Sequence, residues 1–168
     1  TYRNAAGAPG HEYYQQQADY KMNITIDDKT QILSGTETIT YTNNSPDQLS
    51  YLWLQLDQNI YAENSETKLI EVEKMEDFKS LADLDAKNFK YDGGFKIESI
   101  STTQGLKMKY AINKTMLRID LEKPLAAHSS ISFQVKWWYN INDRMKVGGR
   151  SGYEYFEKDK NYLYTIAQ

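Results

Sequence analysis

Between Ile131 and Ile141 every second residue is apolar: Ile131, Phe133, Val135, Trp137, Tyr139 and Ile141 stand opposite Ser132, Gln134 and Lys136. A period of two gathers these side chains on one face of an extended strand, whereas a helix would scatter them around its circumference. This is the longest clean alternation in the chain, and it predicts a central strand. The same period appears earlier, where Tyr20, Met22, Ile24 and Ile26 alternate with Lys21, Asn23 and Thr25, as in a half-buried strand. Asp27, Asp28, Lys29 and Thr30 supply turn chemistry. A second extended run then carries Leu33, Ile39 and Tyr41 with threonines at 36, 38, 40 and 42, so the pair reads as a long hairpin. Gly35 interrupts this run and marks a bulge or a close backbone approach, with a bend expected there.

The rest of the chain follows the same logic. Leu49 to Leu56 is apolar at Leu52, Leu54 and Leu56 and aromatic at Tyr51 and Trp53, which predicts a strand covered on both faces. Residues 57 to 93 lose the alternation, and Phe78, Leu81 and Leu84 recur at helical spacing, so one short surface helix is expected within Met75 to Ala86. After Asp92-Gly-Gly94 a meander is expected: Phe95 to Ser101, a Thr-Gln-Gly turn at 103 to 105, then Leu106, Met108, Tyr110 and Ile112 alternating with lysines, Lys107 and Lys109 marking the wet face. Asn113-Lys114 connects tightly to Leu117, Ile119 and Leu121, and Pro124 is expected to close that strand. The last stretch, Tyr153 to Gln168, is aromatic and extended around a turn at 158 to 161. Many strands at short spacing predict an all-β fold, an antiparallel β-sandwich of two or more sheets with one short surface helix. Residues 1–14 read as a flexible N-terminal segment and 15–168 as a single β-domain.

Composition narrows the function. With 20 basic and 23 acidic residues, a net charge of -3 and both signs interspersed, no large basic surface is expected, and nucleic acid is not an expected partner. Apolar runs of only a few residues predict no membrane insertion. Thr1 to Gly10 lacks the apolar stretch of a signal peptide, which leaves room for one already removed. The absence of cysteine removes disulfides, thiolate zinc sites and cysteine nucleophiles together. His11-Glu12-Tyr13-Tyr14-Gln15 begins like a helical zinc motif, but Gln15 stands where the second histidine is required. His128 lies in a polar loop and reads as a surface residue. No serine occupies a G-x-S-x-G turn, no carboxylate pair is singled out, and Gly148 to Gly152 reads as a loop rather than a phosphate cradle. No catalytic residue, metal ligand or cofactor is therefore assigned to this chain. Of the aromatic residues, Trp53 and Trp137 are expected in the packed layer, leaving Trp138 and a few tyrosines as candidates for a flat sugar face.

Three segments carry a resemblance: Tyr20-Lys-Met-Asn-Ile-Thr-Ile-Asp27, Leu33-Ser-Gly-Thr-Glu-Thr-Ile-Thr-Tyr-Thr-Asn43, and Leu49-Ser-Tyr-Leu-Trp-Leu-Gln-Leu56 followed by Asn59. In this order and spacing they resemble the N-terminal domain of the aminopeptidase N and leukotriene-hydrolase family of zinc metallopeptidases, closest to its bacterial members. The resemblance runs from about Gln15 to Gln168. It implies a saddle of antiparallel sheets packed on a thermolysin-like catalytic domain of the same polypeptide. That domain carries H-E-x-x-H and a further glutamate for zinc, neither of which is present here. What the chain resembles caps an active site that hydrolyses N-terminal residues from peptides and does not itself bind the metal.

The resemblance also implies one site residue. The family places a Gln or Glu just after the last aromatic strand, near the free amine of the peptide substrate. Tyr164-Thr-Ile-Ala-Gln168 matches that place, so Gln168 is the candidate substrate-binding residue, its amide oxygen accepting from an ammonium group. The competing reading of Gln168 is a frayed terminal residue. The sequence ends two residues after an apolar strand, which suggests that the gene continues. Exported bacterial relatives and the Gly, Ala and Pro of the start favour export, with the compartment otherwise open. A second reading is a free-standing β-sandwich that binds glycan or protein at a cell surface; a small carboxylate hydrolase is a distant third.

Overall fold

A computed structural model of the chain describes residues 1–66 and 91–166. The helix expected within Met75 to Ala86, and Gln168, lie outside the described residues. The alternations noted above become strands β1 (Gln17–Asp27), β2 (Ile32–Asn43), β3 (Leu49–Gln55), β4 (Lys96–Thr102), β5 (Lys109–Asn113), β6 (Met116–Leu125), β7 (Ser129–Asn140), β8 (Gly152–Phe156) and β9 (Asn161–Thr165). A 3₁₀ turn at Asp57–Tyr61 and one short helix, α1 (Arg144–Val147), complete the described elements. Every pairing between strands is antiparallel, and the fold is all-β.

Three sheets result, with strand orders β1-β2-β7-β4, β3-β6-β5 and β8-β9. The expectation of a central β7 holds, since β2 pairs with it on one side and β4 on the other. The local meander does not form. β4 joins the larger sheet, while β5 and β6 form a hairpin that pairs with β3, and an isolated bridge, Ser101 to Lys107, spans the turn between β4 and β5. Lys114 takes a left-handed φ of 57° in the two-residue β5–β6 turn. Pro124 does not close β6, which runs on to Leu125; the register shifts between Leu49 and Tyr51 on the partner strand, and an irregular stretch of ladder tolerates a missing N–H.

The two larger sheets face each other across one core. Leu52 and Leu56 from the β3 segment and Leu117, Ile119, Leu121 and Leu125 from β6 meet Ile39, Phe133, Val135 and Ile100. The opposite face of the larger sheet is polar and stitched by Thr40 to Ser132 and Thr42 to Ser130 hydroxyl bonds, both 2.8 Å. Lys136 pairs with Glu98 at 2.7 Å on that side, where the β4 register shifts between Ile97 and Ser99.

Gly35 has a plain reason. A Cβ there would lie 2.6 Å from Cζ2 of Trp137, its register partner on β7, so the indole lies against bare backbone. The register of β2 runs unbroken through it on both sides, so the close approach is present and the bulge is not. Two burial expectations fail. Trp53 is 51% exposed and Tyr51 42%, so β3 is covered only on its leucine face. Tyr20, Met22, Ile24 and Ile26 face the same side as Ile39 and Leu33 yet stay open, because β1 extends past the covering sheet.

Candidate functional site

The C-terminal region is built on a second small core. Leu33, Tyr139 and Ile141 are buried together, and Phe95, Trp137, Tyr153 and Tyr164 pack against them. Burial pushes the Tyr139 hydroxyl up to about 12. This cluster roots the β8–β9 hairpin on the end of the larger sheet.

Buried amides fix the root. Asn142 is 1% exposed; its Nδ2 donates to the Ser151 carbonyl at 2.8 Å, and its Oδ1 accepts from Gln58 Nε2 at 3.0 Å. The Tyr153 amide donates to the Asn142 carbonyl at 2.8 Å, which tethers the first strand of the hairpin. The second strand is held by Tyr164, whose hydroxyl donates to Gln31 Oε1 at 2.8 Å. Gln31 also accepts from the Ile141 amide through its carbonyl, so one residue of the β1–β2 turn ties three segments. Between these anchors, Gly149 takes a φ of 93° and passes the Tyr61 hydroxyl so closely that a Cβ would sit 2.0 Å from it. The glycine loop is thus part of the fold's packing. The sequence carries no periodic signal for Gln31 or Asn142; their position at the ends of predicted strands is the sole hint.

Beyond its root the hairpin is open. Tyr153 stands opposite Tyr164 and Tyr155 opposite Tyr162, which places four rings on one face. Their centroids form a ladder, Tyr155 to Tyr162 at 4.9 Å and Tyr162 to Tyr164 at 6.0 Å. Tyr155, Phe156, Tyr162 and Leu163 are exposed, as is Ile166, two residues before Gln168. Exposed aromatic and aliphatic side chains thus project together from a rooted hairpin as an apolar patch. A second exposed pair, Tyr51 and Trp53, meets edge to face at 6.0 Å with Arg118 over the Tyr51 ring at 4.3 Å.

Among the described residues no cluster of three or more His, Asp or Glu side chains has the arrangement of a metal site. His11 lies by the N-terminal ammonium, which pairs with Glu12 at 2.6 Å, and His128 is exposed in the β6–β7 turn with a φ of 56°. Asn43, 0% exposed, is a hub that sequence reasoning passed over. Its Nδ2 donates to the carbonyls of Asp47 and Ala126 at 2.7 and 3.1 Å, and its Oδ1 accepts from Ser45 Oγ at 2.6 Å. Asn59 does similar work, donating to the Lys114 carbonyl at 2.8 Å and accepting from the Phe95 amide at 2.8 Å. Both are residues of the segments that carry the family resemblance.

These elements define an antiparallel β-sandwich with an exposed aromatic hairpin. No protein-family model matches the chain, and no curated protein does. Among solved structures, a mutant M1 zinc metallopeptidase from Deinococcus radiodurans is similar, with a TM-score of 0.48 and 12% sequence identity over 88% of this chain and 25% of that one. A two-domain M1 zinc metallopeptidase mutant bound to L-tryptophan gives 0.46 and 12% over 80% of this chain and 23% of that one. The chain spans about a quarter of the length of these enzymes.

Proposed function

We propose that the chain is the non-catalytic N-terminal β-domain of a zinc-dependent aminopeptidase, with residues 15–168 as the domain and 1–14 as an appended segment. The observation that carries this reading is the exposed β8–β9 hairpin, which is rooted firmly in the sandwich and is followed in the sequence by Gln168. The ordered segments Tyr20–Asp27, Leu33–Asn43 and Leu49–Asn59 support it from the sequence side. In this reading the hairpin packs on a catalytic domain of the same polypeptide, which holds the zinc and performs hydrolysis. Gln168 then accepts a hydrogen bond from the free amine of a peptide substrate at the cleft.

The test is to read the coding sequence beyond Gln168 for H-E-x-x-H with a later glutamate. In the protein so defined, Gln168→Ala is expected to raise KM roughly 10- to 100-fold, the worth of one hydrogen bond to a charged group. A stop codon after Gln168 would sink the reading.

One observation favours a second reading, a module that binds glycan through exposed rings. Tyr51 and Trp53 stand together on the uncovered face of β3, a geometry suited to stacking on an apolar sugar face. Saturable quenching of Trp53 fluorescence by an oligosaccharide, lost in Trp53→Ala, would favour it; unchanged emission across a glycan panel would remove it.

A further inference from the structure

Glu37 breaks the pattern of its strand. It lies on the core-facing side of β2, in line with Leu33, Gly35 and Ile39, and its register partners are Met22 on β1 and Val135 on β7. All its neighbours on that face are apolar. Among the described residues it makes no ion pair: the lysines nearest to it in register, Lys21 and Lys136, fall on the opposite parity, and Lys136 is taken by Glu98. Burial raises its carboxyl above the usual range, offset in part by the Trp137 indole N–H. A carboxylate placed against apolar side chains without a cation is costly, and sequences keep such groups where function requires them.

The space in front of Glu37 is open. A cleft of about 380 Å³ lies between the two larger sheets, where β1 extends past the cover, and Glu37 lines it together with Tyr20, Leu54, Phe95 and Trp137. Asp57 is a second carboxylate of the lining, and among the described residues no lysine, arginine or histidine contributes to it. Phe95 and Trp137 meet edge to face at 5.3 Å, giving an aromatic wall. The volume lies in the range of small-ligand sites, and the lining combines apolar surface with a few polar groups of one sign. Anions are disfavoured by both carboxylates, and a neutral apolar guest would leave Glu37 without a cation.

We infer that this cleft is a binding site for a small organic ammonium, its charged head on Glu37 and its aromatic or branched aliphatic body against Leu54, Phe95 and Trp137. The lining residues named here all belong to this chain, and the assignment goes beyond the proposed role of Gln168. The charged head supplies the missing cation, and the aromatic wall adds cation–π attraction.

The experiment uses three probes of matched shape on the 168-residue chain: 2-phenylethylammonium, neutral 2-phenylethanol and anionic 3-phenylpropanoate. Binding is followed by calorimetry and by the Trp137 indole resonance. The ammonium is expected to bind saturably and to shift that resonance, with the alcohol at least ~10-fold weaker and the carboxylate undetected. Glu37→Gln should weaken ammonium binding by ~10-fold or more while leaving alcohol binding unchanged. Leu54→Trp, which fills the cleft and keeps Glu37, should abolish binding of both. Equal affinities for ammonium and alcohol, an unaltered affinity in Glu37→Gln, or no saturable binding of the ammonium would each overturn the assignment.

Discussion

At the scale of single residues, the described protein relies on a few buried amides and one exceptional carboxylate. Asn43 satisfies the backbone where the β2–β3 and β6–β7 loops meet. Asn43→Ala would strand those carbonyls and the Ser45 amide away from water, at an expected cost of about 3 kcal/mol, measured by urea unfolding. Glu37 behaves in the opposite sense. Its folded-state pKa is raised, so the folded protein holds the proton more tightly than the unfolded chain. Its contribution to stability therefore falls as pH climbs from the ordinary glutamate range through the raised value. Glu37→Gln is expected to flatten that decline and to raise Tm at neutral pH relative to the parent, with no gain at acidic pH; a lower Tm at neutral pH would contradict this.

At the scale of elements, the decisive variable is which strand faces are covered. Leu117 on β6 is 0% exposed, whereas Ile24 on β1 is 53% exposed although both belong to clean alternations. Leu117→Ala should cost about 3 kcal/mol through lost burial and a residual cavity, and Ile24→Ala less than about 1 kcal/mol. Comparable losses in chemical denaturation would mean that β1 is covered in solution. The β8–β9 hairpin is a separate case, because it rests on its root. Tyr164→Phe removes the bond to Gln31 and is expected to speed amide exchange in the hairpin by roughly 5-fold, equivalent to about 1 kcal/mol, with β7 amides unaffected. Much of this level was legible from the sequence. The β1–β2 hairpin, the turn at Gly105 and the central place of β7 follow from the period-two pattern and turn chemistry. The partition of β4 and β5 between sheets was not, because pairing partners distant in sequence leave no trace in local alternation.

For the whole molecule, the proposed role as a recognition-side domain predicts that the purified 168-residue chain releases no product from aminoacyl anilides, with or without added zinc. Turnover that persists through repurification would contradict the proposal. The sequence by itself determined the strand periodicities, the turns, the want of a histidine or cysteine ligand set and the resemblance that leads to Gln168. Those features are local, and each is fixed by the backbone preference or chemistry of neighbouring residues. Only the tertiary structure decided that Trp53 and the apolar face of β1 stay open, that Gly35 makes room for Trp137, and that Glu37 faces a cleft. An alternating strand states that one of its faces is apolar, and whether anything covers that face depends on the reach of a sheet assembled from other parts of the chain.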